Sequence, residues 1–468
     1  MTRFIRTTMA AVLVGTALPL VAQRPATRFA DQRHPFGTLR EQAARQQRWL
    51  EARMKTVLPA LMRAHGMDMW IVPMREYAED PVFSSLVSPT TFAARRRTIY
   101  VMFDTCAASG RTDPGDGSCI ERIALGGSSQ GGVWKALRST LAVEAPVGGE
   151  QAELWGDEQW KLLKKVVDER NPKVIGIDYS RTFAFSDGLT HGEYEGMTGA
   201  LGECWTARLK PAEELPLQFI ASRVADEEAF YGELTQLVWE LIGEMYSSKV
   251  IVPGKTKASD LVWWWRQRVN DLGLGTWFQP SIEVQRAGAG ELGEDAIIQR
   301  GDVLHCDVGI TALGLNSDTQ HMAYVLKPGE KDAPAGLRKA LENGNALQDI
   351  VMAEVRPGRT GNEILKAARS QMAARGITGT IYSHPIGMHG HGAGPLVGLW
   401  DYQSGVPGRG DAKVIANMWY SIELQATTSV PEWNGQDVRM ALEEDMMIGT
   451  DGTPRWVRGP QKKLWLVR

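Results

Sequence analysis

Two aspartates have the clearest chemical potential in this sequence. His305-Cys306-Asp307-Val308-Gly309-Ile310 and Leu315-Asn316-Ser317-Asp318 flank a short Thr-Ala-Leu-Gly connection, a pattern that predicts a β-hairpin. With the turn centred on Ala312 and Leu313, Asp307 falls opposite Asp318, and directly opposed residues place their Cβ atoms about 5 Å apart on one face. Like charges held that close destabilise a fold unless they share a proton or take a cation between them. A shared proton needs only the pair, whereas a metal site needs further ligands. Those are present downstream. His384, His389 and His391 cluster within Ser383–Gly394, and two acids in strand-like surroundings follow, Glu423 in Tyr420–Leu424 and Glu443 in Ala441–Ile448. Two Asp, one His and two Glu could bind a pair of divalent ions.

Taken together, these residues resemble the pita-bread metallopeptidases that include aminopeptidase P and prolidase. That family presents Asp, Asp, His, Glu and Glu in this chain order, with the aspartates eleven residues apart in a D-x-G hairpin, as Asp307-Val308-Gly309 and Asp318 are here. Its metal histidine opens an H-G-x-G segment, which His391-Gly392-Ala393-Gly394 resembles. Its last glutamate precedes a T-x-D-G-like turn, as Glu443 precedes Thr450-Asp451-Gly452. The resemblance covers residues 222 to 452 and implies a metal set of Asp307, Asp318, His391, Glu423 and Glu443. Two divalent ions are expected there, manganese first because the donors are mostly carboxylates, with zinc or cobalt as alternatives. It also implies a proton shuttle at Glu423, with His384, His389 or His305 holding the tetrahedral intermediate. The implied substrate is a peptide cleaved between an amino-terminal residue and proline, either as an Xaa-Pro dipeptide or from a longer chain.

Alternatives stay open at several positions. His389 competes with His391 as ligand, and Glu444 competes with Glu443, since adjacent strand residues point to opposite faces. A simple turn on Asn434-Gly435 would set Glu423 opposite Met446. Three positions depart from the family pattern: Gly290 stands where a histidine precedes the first Asp, Ala441 where an arginine precedes the last Glu, with Arg439 close by, and Gly398 seven residues after His391, where a further histidine is expected. Hydrolysis without proline specificity, a metal-free hydrolase of creatinase type, and a non-catalytic peptide-binding scaffold are the competing readings.

The surrounding elements must bring these distant residues together. Leu50, Met54, Val57, Leu58 and Leu61 recur at helical spacing up to Gly66, a C-cap candidate. Apolar runs at 69–72, 99–103 and 174–177, separated by helix-like stretches such as 158–169, predict an α/β amino-terminal domain over residues 23–221, which resembles the domain that precedes the catalytic one in creatinase, prolidase and aminopeptidase P. Residues 222–468 are expected to form an α+β pita-bread domain with an internal pseudo-twofold repeat. Val252-Pro253-Gly254-Lys255-Thr256 and Arg356-Pro357-Gly358-Arg359-Thr360 each head a helix, 104 residues apart. Within the first of these helices, Trp263, Trp264 and Trp265 cannot all face one side, so core packing plus a domain or subunit contact is expected, in keeping with a homo-oligomer such as a dimer.

Composition narrows the function classes further. The chain has 52 basic and 55 acidic residues among 468, a net −3, which supplies no field for nucleic acid. Residues 1–22 read as a signal peptide. Arg3 and Arg6 precede only 12 uncharged residues, Met9 to Leu20, short of the about 20 needed to span a bilayer. A periplasmic or secreted protein without a permanent anchor is expected. Cys106 and Cys119 flank a Gly, Asp and Ser-rich stretch and could pair in such a compartment or remain free.

Overall fold

A computed structural model describes residues 28–138 and 156–468; the expected signal peptide lies outside them. The amino-terminal part is built on a mixed six-stranded sheet. Its strands are β1 (Met69–Arg75), β2 (Arg97–Asp104), β3 (Ile120–Leu125), β4 (Lys135–Leu137), β5 (Ile175–Ile177) and β6 (Leu209–Pro211), in the spatial order β4-β3-β2-β1-β5-β6. Strand alternation divides the side chains between two layers of helix. Trp70 and Val72 pack with Leu50, Met54, Leu58 and Met62 of helix Leu39–Ala64. Met69 and Ile71 pack with Leu163, Val167 and Met197 of helices Asp157–Arg170 and His191–Leu201. The first helix starts on a capping box in which Thr38 and Glu41 satisfy each other's backbone N–H groups.

Cys106 and Cys119 are disulfide-bonded, with Cα atoms 5.2 Å apart, and close the loop between β2 and β3. Buried Arg53 joins the two halves of the chain: its guanidinium donates to the carbonyls of Phe219 and Ser222 and lies 3.8 Å from Glu227, which is itself buried.

The second part carries a ten-stranded curled sheet. Its strands are β7 (Ser281–Arg286), β8 (Gly290–Leu292), β9 (Val303–Val308), β12 (Thr319–Val325), β13 (Thr378–Ile381), β14 (His384–Ile386), β15 (Trp419–Val430), β16 (Gln436–Ile448), β17 (Pro454–Trp456) and β18 (Trp465–Val467), while β10 (Thr311–Ala312) and β11 (Leu315–Asn316) form a small separate ribbon. The main path runs β13-β15-β16-β12-β9-β7-β8. Helices Ala225–Met245, Ala258–Asp271, Ala335–Glu354 and Gly361–Ala374 cover one face through Leu237, Leu241, Trp265, Leu347 and Ile364, among others. The two Pro-Gly turns lead into Ala258–Asp271 and Gly361–Ala374, each 14 residues long. The tryptophans divide as helix geometry requires, with Trp265 fully buried and Trp263 61% exposed. No helix among the described residues is long and apolar enough to cross a membrane.

Both functional hairpins differ from the simplest expectation. Leu313 and Gly314, at φ +50° and +75°, form the tip of the first, one residue beyond the expected turn, as a two-residue loop with both φ positive requires. Asp307 therefore faces Gln320 rather than Asp318. A two-residue shift keeps every side chain on its face, so Asp318 remains a diagonal neighbour of Asp307. In the second hairpin a 3-10 turn at Pro431–Trp433 precedes Asn434-Gly435, and Glu423 pairs with Glu443, not Met446.

The disulfide is checked by counting thiols. Unfolded without reductant, the chain should show two, Cys204 and Cys306, and four after reduction; four without reductant would contradict the pairing. Replacing both bridged cysteines with serine should cost about 3 kcal/mol, the loop-closure value for a loop of this size.

Candidate metal centre

Register turns separate sequence positions into one row. Across β9, β12, β16 and β15, the directly paired residues are Asp307, Gln320, Glu443 and Glu423. Adjacent strands lie about 4.8 Å apart, so three acids and an amide stand side by side on the face turned away from the covering helices. Asp318 joins them from the end of the first hairpin. Gly309 makes that approach possible, because a Cβ there would meet Ser317 O at 2.6 Å and the Trp277 ring nitrogen at 2.5 Å. Glu444 points the other way, where its carboxyl meets His321 Nε2 at 2.7 Å.

His384 completes the cluster. It pairs with Ser421 through β14, two residues from Glu423 on the same face, and its Nε2 lies 3.3 Å from Glu443 Oε1 and 3.7 Å from both Asp318 Oδ2 and Glu423 Oε2. Its Nδ1 is 2.9 Å from the Pro385 carbonyl, an acceptor, so Nδ1 donates there and Nε2 is the ring atom that faces the acids. Carboxylate oxygens gathered this closely around one ring nitrogen repel one another unless a proton or a cation lies among them. The other histidines sit apart from this point. His391 is exposed and packs edge-on against the His384 ring at 4.8 Å. His389 contacts the Phe185 ring at 4.8 Å and lines a separate cavity of about 630 Å³ with Phe83, Met388 and Trp277. His305 is buried between Gln320 and Glu283.

Electrostatics reinforce the geometry. The carboxyls of Asp307, Asp318 and Glu423 are all pushed well above the usual range, first by burial and then by the charge of Glu443. Asp307 Oδ1, Asp318 Oδ1, Glu443 Oε1 and His384 Nε2 are buried without any hydrogen-bond partner. Hard oxygen donors with one imidazole nitrogen suit a divalent cation, and Asp318, His384 and Glu443 alone present donor atoms within 4.8 Å of one another. The residues fit the ion that the donor chemistry implies.

Sequence reasoning did not single out four nearby residues. Gln320 was hidden because its place in the row depends on the pairing of β12 with β16, far apart in sequence. Tyr382 lies close enough for Glu423 and Glu443 to hold its phenol ionisation up, after burial. Asp445, two positions beyond Glu443 on the same face, accepts from the Tyr231 hydroxyl at 2.9 Å. Arg409 lowers the protonation of His391 by its charge, after burial and His384, yet its guanidinium has no acidic partner among the described residues.

The known proteins agree with this architecture. Residues 237–450 match the profile of Metallopeptidase family M24. The second domain belongs to that family. The whole chain is similar in structure to an X-Pro aminopeptidase from Thermotoga maritima, at TM-score 0.57 and 14% identity over 87% of this chain and 100% of that one. It is also similar to an Xaa-Pro dipeptidase from Bacillus anthracis, at 0.55 and 15% over 91% and 99%. The amino-terminal domain of the FACT complex subunit SPT16 from chickpea shares the fold as well, at 0.53 and 13% over 90% and 99%. No curated protein matches the chain. The M24 domain, with its α/β companion, therefore has the pita-bread, creatinase-like architecture expected from the sequence.

The raised carboxyls give a signed pH dependence. Their folded pKa lies above the unfolded values of 3.8 and 4.5, so the stability they confer in the ion-free protein is complete below those values and lost as pH rises through the folded pKa. A divalent cation replaces the protons. The melting temperature of chelated protein should fall by several degrees from about pH 5 to about pH 8, and added manganese should raise it more at the higher pH. Equal manganese-induced rises at both pH values would contradict this assignment.

Proposed function

We propose that this M24 domain is a dinuclear metallopeptidase that removes an amino-terminal residue preceding proline. The observation that carries the reading is the set of buried, unpartnered donor atoms on Asp307, Asp318, Glu443 and His384. A non-catalytic scaffold of this fold would have no need to keep them, and fold likeness alone assigns no activity. Asp307, Asp318, Glu423, Glu443 and His384 hold two ions, with manganese favoured by the carboxylate-rich set. His384 takes the ligand role that the sequence resemblance gave to His391. The apparent departure at Gly398 then disappears, because His391 stands seven residues after His384.

Bound ions supply a water of lowered pKa and polarisation of the scissile carbonyl. The chain's own groups do the rest. Glu423 is better placed than Glu443 to exchange a proton with substrate, since its side chain is 15% exposed against 1%. Its carboxyl is held in place by the Gln320 amide nitrogen, which donates to Oε1 at 2.5 Å. His391, exposed beside the His384 ring, offers a ring nitrogen at the mouth. Arg409, without an acidic partner among the described residues, offers its charge to a carbonyl or carboxylate of the substrate.

A second reading keeps the hydrolysis and drops the proline requirement. It is favoured by Gly290, by Ala441, and by Arg439, which shares the site's face of β16 but is occupied by Glu283, Glu291 and Gln425.

Manganese, cobalt or zinc reconstitution followed by assays on Xaa-Pro dipeptides, longer Xaa-Pro peptides and peptides lacking proline separates the two. The expected result is cleavage of the proline substrates and a loss of about 1,000-fold or more in kcat/KM for Asp307→Ala and for His384→Ala, since several kcal/mol of transition-state stabilisation leave with the ions. Equal turnover by wild type and Asp307→Ala would overturn the metallopeptidase reading; indifference to proline would select the second one.

A further inference from the structure

Behind the carboxylate row lies a chain of polar groups that neither ion ligation nor proton transfer uses. Buried Gln320 donates from its amide nitrogen to Glu423 Oε1 at 2.5 Å and to Glu443 Oε2 at 2.9 Å. Its carbonyl oxygen lies 3.0 Å from His305 Nε2, and His305 Nδ1 lies 3.1 Å from Glu283 Oε2. Glu283 meets Arg439, which also donates to Glu291 Oε1 at 2.8 Å and to Gln425 Oε1 at 3.1 Å. Strand register builds the chain, because Glu283 is paired directly with His305 across β7 and β9 while Gln320 lies diagonally beyond on β12. Cross-strand neighbours at those offsets are within reach of long side chains.

The direction of each hydrogen bond follows from chemistry. The amide nitrogen of Gln320 is the end that faces the two glutamates, where it donates to one oxygen of each. Its oxygen can then only accept, and His305 Nε2 must donate to it. At the far end the Glu283 carboxyl lies 3.1 Å from Nδ1 and is held in turn by the Arg439 guanidinium, which fixes the ring between Gln320 and Glu283. Gln320 is therefore locked against rotation by 180°, which would turn its oxygen onto the glutamates.

Each glutamate has two oxygens, and Gln320 occupies one on each. The two that remain, Glu423 Oε2 and Glu443 Oε1, are those nearest His384 Nε2, at 3.7 Å and 3.3 Å. We propose that Gln320 is a positioning residue which, oriented by His305 and Glu283, clamps the outer oxygen of Glu423 and of Glu443 and turns the inner ones onto the ions, and so sets the affinity and coordination geometry of the centre. This rests on the metal-centre reading above and adds to it a group that touches neither ion nor substrate. Groups that orient metal ligands typically contribute 10- to 100-fold in affinity.

The test uses the full chain, manganese titration calorimetry, and the visible absorption spectrum of the cobalt form. Gln320→Leu and His305→Leu should each weaken manganese binding by about 10- to 100-fold and change the cobalt spectrum. His305→Gln, whose amide can donate to Gln320 in place of Nε2, should restore affinity to within about threefold of wild type. Gln320→Asn, an amide too short to span both glutamates, should show the same loss if the leucine variant does not fold. Wild-type affinity and spectrum in Gln320→Leu or Gln320→Asn would overturn the proposal while leaving the metal centre standing, and equal weakening in His305→Gln and His305→Leu would overturn the orienting role of His305. Wild-type protein that binds neither ion would overturn the metal-centre reading and this proposal with it.

Discussion

Mutual repulsion among carboxylates buried on one row of a sheet is the constraint around which the rest of this molecule is arranged. Glu423 and Glu443 are directly paired, Gln320 separates Glu443 from Asp307, and Asp318 leans in from the adjoining hairpin. In water such a group would disperse. Here the strands cannot move apart, because their opposite faces are committed to helices through Leu304, Cys306, Val308, Ile422 and Leu424. Interior packing is nearly as dense as a crystal's and transmits such commitments without slack. The sheet thus holds the acids together, and cations rather than protons are the economical way to neutralise them at the pH where a peptidase works.

The two faces of the same strands show how alternation manages this. On β16, Glu443 turns to the row of acids while Glu444 turns to His321, which also accepts from the Trp465 indole at 3.1 Å. Burial and the charges of Arg458 and His305 push the His321 ring down to about 3, so this second pair sits quietly in the core. The acidic run Glu443-Glu444-Asp445 is thereby divided between the two faces of the strand, with Asp445 returned to the site's face and tied to Tyr231.

Much of this was legible in the sequence for local reasons. The Asp-x-Gly hairpin, the paired Pro-Gly helix starts and the alternating apolar runs all depend on neighbours within about ten residues. What escaped depends on long-range register or on unexpected turn chemistry. Nothing in Thr-Ala-Leu-Gly signals that Leu313 will adopt positive φ, where β-hairpin turns ordinarily recruit Asn, Asp or Gly, so the partner of Asp307 was misplaced by two. Gln320 looked like an ordinary strand residue because its neighbours Glu443 and Glu423 are more than 100 positions away. Spacing set His391 against His389 as ligand and left out His384, whose place beside the acids depends on its beginning a strand next to β15, about which glycine spacing around His391 carries no information. Arg409 lay in a loop with no periodic pattern to mark it.

The central claim is that divalent ions sit among these acids, and crystals grown with manganese would test it most directly through anomalous diffraction. Two peaks about 3.5 to 4 Å apart are expected, bounded by Asp307, Asp318, His384, Glu423 and Glu443. Catalytically competent crystals showing no peak there, with the carboxyl groups in direct contact instead, would contradict it.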